Sequence, residues 1–151
     1  MKKETFKKSV LIKTDIEALF RFHLDTNNLN KISPPGIKTD IIHISEVPLR
    51  KDSTVSIKLS KLGLSRIWKI KIAEYDPPYL VSDLQTSGIF YYWHHYHIFD
   101  PKENGVLMTD KIEYIPPFGP LGRLGNPVIK IQLNRMFSYR HSRTREIFEK
   151  S

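Results

Sequence analysis

The chain contains no cysteine. That absence excludes disulfides, a thiolate nucleophile and any thiolate-ligated metal. No run approaches the roughly 18–20 apolar residues of a membrane-spanning helix. The first residues, Met1-Lys-Lys-Glu-Thr-Phe6, carry no apolar signal core and lead straight into a strand pattern, so a cytoplasmic protein is expected. No GxSxG nucleophile elbow occurs, and Gly119-Pro-Leu-Gly122 lacks the strand–loop–helix setting of a phosphate loop. Internal repeats and low-complexity segments are missing too. Acidic residues are the scarcer charge, 16 against 24 Lys and Arg, for a net charge of +8.

What is present is the composition of a soluble globular protein: 151 residues, 40% hydrophobic and 26% charged. That length suits one domain over residues 1–151 with a sizeable core. The positive charge is dispersed along alternate strand positions such as Lys58, Lys69 and Lys71. It concentrates only near the C-terminus, where Arg123, Lys130, Arg135, Arg140, Arg143, Arg145 and Lys150 face Glu146 and Glu149. A solvated helix face explains this enrichment; an anion-binding surface for a membrane is the sharper alternative, and no nucleic-acid partner is expected.

Residues 5–13 read as a first strand. Thr14 with Glu17 three residues on forms a capping-box pattern that opens a short helix through Ile16, Leu19, Phe20 and Leu24. A second helical piece at 27–32 is stopped by Pro34-Pro35-Gly36. Strand patterns then dominate: 37–46, 54–61, 66–75, 79–86, 89–99 and 106–115, with Leu62-Gly63-Leu64 as a tight turn and Asp76-Pro77-Pro78 as a breaker. Short connections imply an antiparallel meander. Beyond Pro116-Pro117-Phe118-Gly119-Pro120, a turn at 120–125 precedes a long helix from near Asn126, with Val128, Ile131, Met136, Phe137, Ile147 and Phe148 as its apolar positions. A sheet of this size must bury one face, and only the last helix is large enough to cover it. The expected class is α+β, with space between sheet and helix.

The most informative segment is Ile89-Phe-Tyr-Tyr-Trp-His-His-Tyr-His-Ile-Phe99. Alternation along a strand puts Trp93, His95, His97 and Phe99 on one face and Tyr92, His94, Tyr96 and Ile98 on the other. Imidazoles mixed with large rings suit the wall of a semi-polar pocket. If Asp100 faces Gly105 across the following turn, His97 opposes Met108, His95 opposes Asp110 and Trp93 opposes Ile112. A His95–Asp110 hydrogen bond would then form between directly paired side chains.

Several local patterns accompany this element order: Asp76-Pro77-Pro78, Trp93-x-His95-x-His97-x-Phe99, Asp110-x-x-x-Tyr114-x-x-Pro117-Phe118-Gly119 and Phe137-x-x-Arg140. On these the chain resembles the START/Bet v 1-like (SRPBCC, polyketide cyclase-like) superfamily over essentially its whole length. The resemblance implies a helix-grip fold: a curved antiparallel sheet around a long C-terminal helix, with two short helices after the first strand. It also implies a hydrophobic pocket for a lipid, polyketide or aromatic ligand, and implies neither cofactor nor metal. Reaction type does not follow from such a fold.

The candidate site comprises Trp68, Trp93, His95, His97, Phe99, Asp110, Tyr114, Phe137 and Arg140. Phe90 is a further core candidate, and Tyr114 and Arg140 are the groups that could meet a ligand's polar end. His23, His43 and His141 stand alone in sequence and read as surface or rim residues. Three functions stay open: binding of a small hydrophobic ligand, a cyclase/dehydratase-like enzyme using His95 with Asp110 as acid/base, and a membrane-surface or nucleic-acid adaptor acting through the basic last helix. Two histidines with Asp110 could also ligate zinc or iron, but no second shell is evident, so no metal is expected. Oligomeric state leaves no signal.

Overall fold

The computed structural model describes residues 1–150. Seven antiparallel strands form one curved sheet: β1 (Glu4–Ile12), β2 (Lys38–Ile44), β3 (Thr54–Lys61), β4 (Leu64–Asp76), β5 (Leu80–Ser87), β6 (Tyr92–Lys102) and β7 (Gly105–Ile115). Their spatial order is β1-β7-β6-β5-β4-β3-β2. Between β1 and β2 come α1 (Ile16–Leu24), a 3₁₀ turn (Thr26–Asn28) and α2 (Leu29–Ile32); α3 (Gly119–Leu124) and α4 (Asn126–Glu149) close the chain. The expected helix-grip architecture is present.

Local chemistry explains the element ends, with small departures from the sequence expectation. The cap of α1 is Asp15 rather than Thr14: its Oδ1 accepts from the Ala18 backbone N–H at 3.0 Å. The β3–β4 turn consists of Leu62 (φ 52°) and Gly63 (φ 78°), a pair of left-handed residues that matches the twist of a tight hairpin. Pro77-Pro78 breaks the ladder as expected, with β5 resuming at Leu80. The β6–β7 hairpin is tighter than expected. Pro101 and Lys102 stay in the ladder opposite Val106 and Gly105, leaving only Glu103-Asn104 as the turn. Pairing therefore shifts by two residues: His97 faces Asp110, His95 faces Ile112 and Trp93 faces Tyr114. A two-residue shift preserves parity, so the inward stripe keeps its members.

Val128 and Ile131, two expected apolar positions of α4, lie exposed. The buried seam is instead Leu133, Phe137, His141 and Thr144, at spacings of four, four and three that hold one helix face to the sheet. Two hydrophobic clusters result. One gathers Ile12, Leu19, Phe20, Leu24, Phe99 and Met108 beneath α1; the other gathers Phe6, Trp93, Ile112, Tyr114, Leu133 and Phe137 beneath α4. Along β6 and β7 the residues between them are polar: His95 and His97 separate Trp93 from Phe99, and Asp110 separates Ile112 from Met108.

The outer edge of β1 is fastened by α4. Arg145 Nη2 donates to the Leu11 carbonyl at 2.8 Å, the Lys13 N–H donates to Glu149 Oε1 at 3.0 Å, and Lys8 Nζ donates to Asn134 Oδ1 at 3.0 Å. These side chains occupy an edge that would otherwise present unpaired backbone groups.

Candidate functional site

Asp110 is the centre of the polar layer. It is 4% exposed and receives two hydrogen bonds: His95 Nε2–H donates to Oδ1 at 2.7 Å, and His141 Nε2–H donates to Oδ2 at 2.5 Å. His97 Nδ1 adds a close electrostatic contact to Oδ1 at 3.2 Å. On its other side, His97 Nε2–H donates to Asp83 Oδ2 at 3.0 Å, and Asp83 Oδ2 lies 3.8 Å from His95 Nδ1. Register explains the clustering, because His95 sits opposite Asp83 of β5 while His97 sits opposite Asp110 of β7.

These contacts divide the charges. Burial pulls the His97 pKa down, but the hydrogen bonding and charges of Asp110 and Asp83 more than reverse it, raising it to about 9. His95 moves the other way: burial and the neighbouring His97 cation outweigh the help of Asp110, so its pKa falls. His23, buried and close to His97, is pushed down to about 4. Burial works against ionisation of Asp110, yet the histidines around it hold its pKa well below the usual carboxylate range. Asp83 is likewise lowered, by His95 and His97 against the effect of burial. At neutral pH Asp83 and Asp110 are thus anions, His97 and Arg140 cations, and His23 and His95 neutral.

A cavity of about 230 Å³ opens above this layer, enclosed by α1, α2, the inner faces of β2–β6 and α4. Its walls are apolar, from Leu49, Val55, Ile57, Ile70, Trp68 and Trp93 among others; its floor is polar, from His23, Asp83, His95, His97 and Arg140. Phe137 packs edge-on against His95 with ring centroids 5.2 Å apart. Trp68 and Trp93 meet edge to face at 5.1 Å.

Of the residues singled out in the sequence, Trp68, Trp93, His95, His97, Phe137 and Arg140 line this space. Three do not. Asp110 lies beneath the floor, Phe99 packs into the α1 cluster against Phe20 at 5.5 Å, and the Tyr114 hydroxyl donates to Asn126 Oδ1 at 2.5 Å. His43 is exposed, as expected, but His141 and His23 are not rim residues. His141 is 3% exposed and bonded to Asp110, while the His23 ring lies 5.7 Å from His97, with Nδ1–H donating to the Leu19 carbonyl at 2.9 Å. Position four residues after Phe137 places His141 on the buried helix face, a signal available in the sequence. Asp83 was missed as well; it follows Val81 on the inward stripe of β5, where a carboxylate needs a partner.

Asp83, His95 and His97 also offer ligand atoms within 4.8 Å of one another, a donor set able to hold a metal ion. A metal there would have to displace the proton that His97 shares with the carboxylates, since a coordinating imidazole must be neutral on the bound nitrogen.

No protein-family model matches the sequence, and no curated protein is significantly similar to it. Solved structures do match. Protein CV1439 from Chromobacterium violaceum superposes with a TM-score of 0.76 at 13% identity, covering 96% of each chain. Ara h 8.0201, a Bet v 1 homologue, gives 0.69 at 15% identity over 95% of this chain and 98% of that one. A major latex-like protein from Panax ginseng gives 0.61 at 19% identity over 91% and 97%. The chain therefore shares the helix-grip fold of these proteins. Among the described residues no helix is long and apolar enough to cross a membrane.

Proposed function

We propose that the protein binds a small, largely apolar ligand in the cavity between the sheet and α4. The carrying observation is the space itself: apolar walls above a polar floor, at a place where a close-packed interior would leave none. Trp68, Trp93 and Phe137 supply flat apolar contact, and His95, His97 and Arg140 supply the polar end. 1-Aminonaphthalene, whose emission shifts in apolar surroundings, tests this with energy transfer from Trp68 and Trp93 as the positional readout. Saturable one-to-one binding is expected, weakened at least tenfold by Ile57→Phe, which fills the cavity. Non-saturable emission, or binding that ignores the filled cavity, refutes the proposal.

A second reading rests on His95. Its Nε2–H is committed to Asp110, which fixes the ring and leaves Nδ1 as a lone pair on a neutral imidazole lining the cavity. That arrangement suits a general base acting on a proton next to a carbonyl group. Deuterium exchange at the α-carbon of 2-tetralone should then exceed the buffer rate and fall at least a hundredfold in His95→Gln; equal rates dismiss it. The adaptor reading has less support. Arg143 is bound to Glu146 and to the Lys31 carbonyl, and Arg145 to the Leu11 carbonyl, so part of the basic surface is used internally.

A further inference from the structure

Arg140 is the one member of the cavity floor whose charge is not matched by contact. Among the described residues no carboxylate lies within 4 Å of its guanidinium, which donates no hydrogen bond, and its Nε is buried without a partner. Only Phe137 meets it, with the cation 5.3 Å above the ring centroid. The nearby carboxylates are occupied: Asp110 by His95 and His141, Asp83 by His97. A guanidinium keeps its proton in proteins, and here the side chain is half-buried at the cavity with its Nε sealed from solvent and without an acceptor. Its planar fork matches a carboxylate bidentately.

We infer that the ligand is a monocarboxylic acid, seated with its carboxylate on Arg140 and its apolar body against Trp68, Trp93, Ile57 and Ile70. This rests on the cavity reading and narrows it. The cavity volume of about 230 Å³ sets the ligand at the size of a medium-chain or single aromatic-ring acid. The third anion brought to the floor meets a neutral His95, whose free Nδ1 faces Asp83 and can accept a balancing proton. The other ionisable groups around it are His23 from α1, His97 beside it on β6, Asp110 from β7, and Arg140 and His141 from α4.

Trp68 and Trp93 report occupancy through their intrinsic fluorescence, so octanoate, methyl octanoate and octan-1-ol can be compared directly at pH 7.5, where octanoate is ionised. Octanoate should bind at least tenfold tighter than the ester. Arg140→Leu should bring acid and ester within threefold of each other, whereas Arg140→Lys, which keeps a cation, should retain most of the preference. Should Arg140→Leu fail to fold, Arg140→Gln serves as the neutral variant. Equal binding of acid and ester by the wild type, or a preference that survives loss of the cation, overturns the inference while leaving the cavity reading intact. Failure of all three compounds to bind overturns both.

Discussion

Replacing Asp110 with Asn tests the polar layer most directly. The substitution keeps size and shape but removes the anion that accepts from His95 and His141 and that faces His97. Removing one partner of a buried charge cluster costs about 3–5 kcal/mol, because the remaining charge stays buried without compensation. Here that remaining charge is the His97 imidazolium, left with Asp83 alone. The cost should therefore depend on pH. In the wild type His97 titrates near 9 when folded and near 6.5 when unfolded, so its contribution of about 3 kcal/mol is fully present below pH 6.5 and lost as pH rises through 9. Loss of Asp110 lowers the folded pKa and removes most of that contribution. Urea unfolding followed by circular dichroism should thus show the largest destabilisation near pH 6.5 and a markedly smaller one near pH 9. A cost below about 1 kcal/mol, or one identical at both pH values, would refute the charge assignment.

On the acid side of the same profile His23 contributes, together with the lowered His95, Asp83 and Asp110. The His23 pKa of about 4 lies below the unfolded value of 6.5, so the unfolded chain takes up a proton first as pH falls. Stability should decline by about 3 kcal/mol between pH 6.5 and 4, giving a maximum near pH 6.5 in urea titrations, and His23→Leu should flatten the acid limb. Phe137→Ala should cost about 3–5 kcal/mol in the same assay, since its ring is 1% exposed and joins Phe6 and His95 at the sheet–helix contact. Asp15→Ala should cost about 1 kcal/mol through loss of the α1 cap, a result that Thr14→Ala should not reproduce. Gly105→Ala should lower the melting temperature, because φ is 143° there and a Cβ would come within 2.3 Å of the Ile12 carbonyl oxygen.

The architecture was legible because alternation and breakers agree: Val55, Ile57 and Leu59 against Ser56, Lys58 and Ser60 fix a strand without reference to anything distant. The His95–Asp110 bond was legible for a weaker reason. The expected register was displaced by two residues, and the bond forms diagonally because parity survived, with the imidazole long enough to span the offset. His23 and His141 were illegible as site members when taken as lone residues. What brings them to β6 and β7 is the packing of α1 and α4 across the sheet; the spacing of His141 from Phe137 marks its buried helix face but not the carboxylate it meets there. Asp83 lay between: its strand was recognised, but a carboxylate on an inward stripe gains meaning only once His95 and His97 are seen beside it.

The fastening of β1 has a consequence for how the molecule is assembled. Ser9 bonds Thr109 across 100 positions of sequence, and Arg145 reaches Leu11 across 134. The first strand made is thus among the last to find its neighbours, after β2–β6 can already pair hairpin by hairpin. Contacts this remote slow folding, since the chain entropy of closing the loop is lost before the contact forms. During synthesis the sheet's inner face stays open, with the cavity walls bare, until α4 emerges and lies across it. A chaperone that meets the nascent chain would find the whole of that face bare in this interval, before α4 arrives and brings Arg140 to the cavity floor.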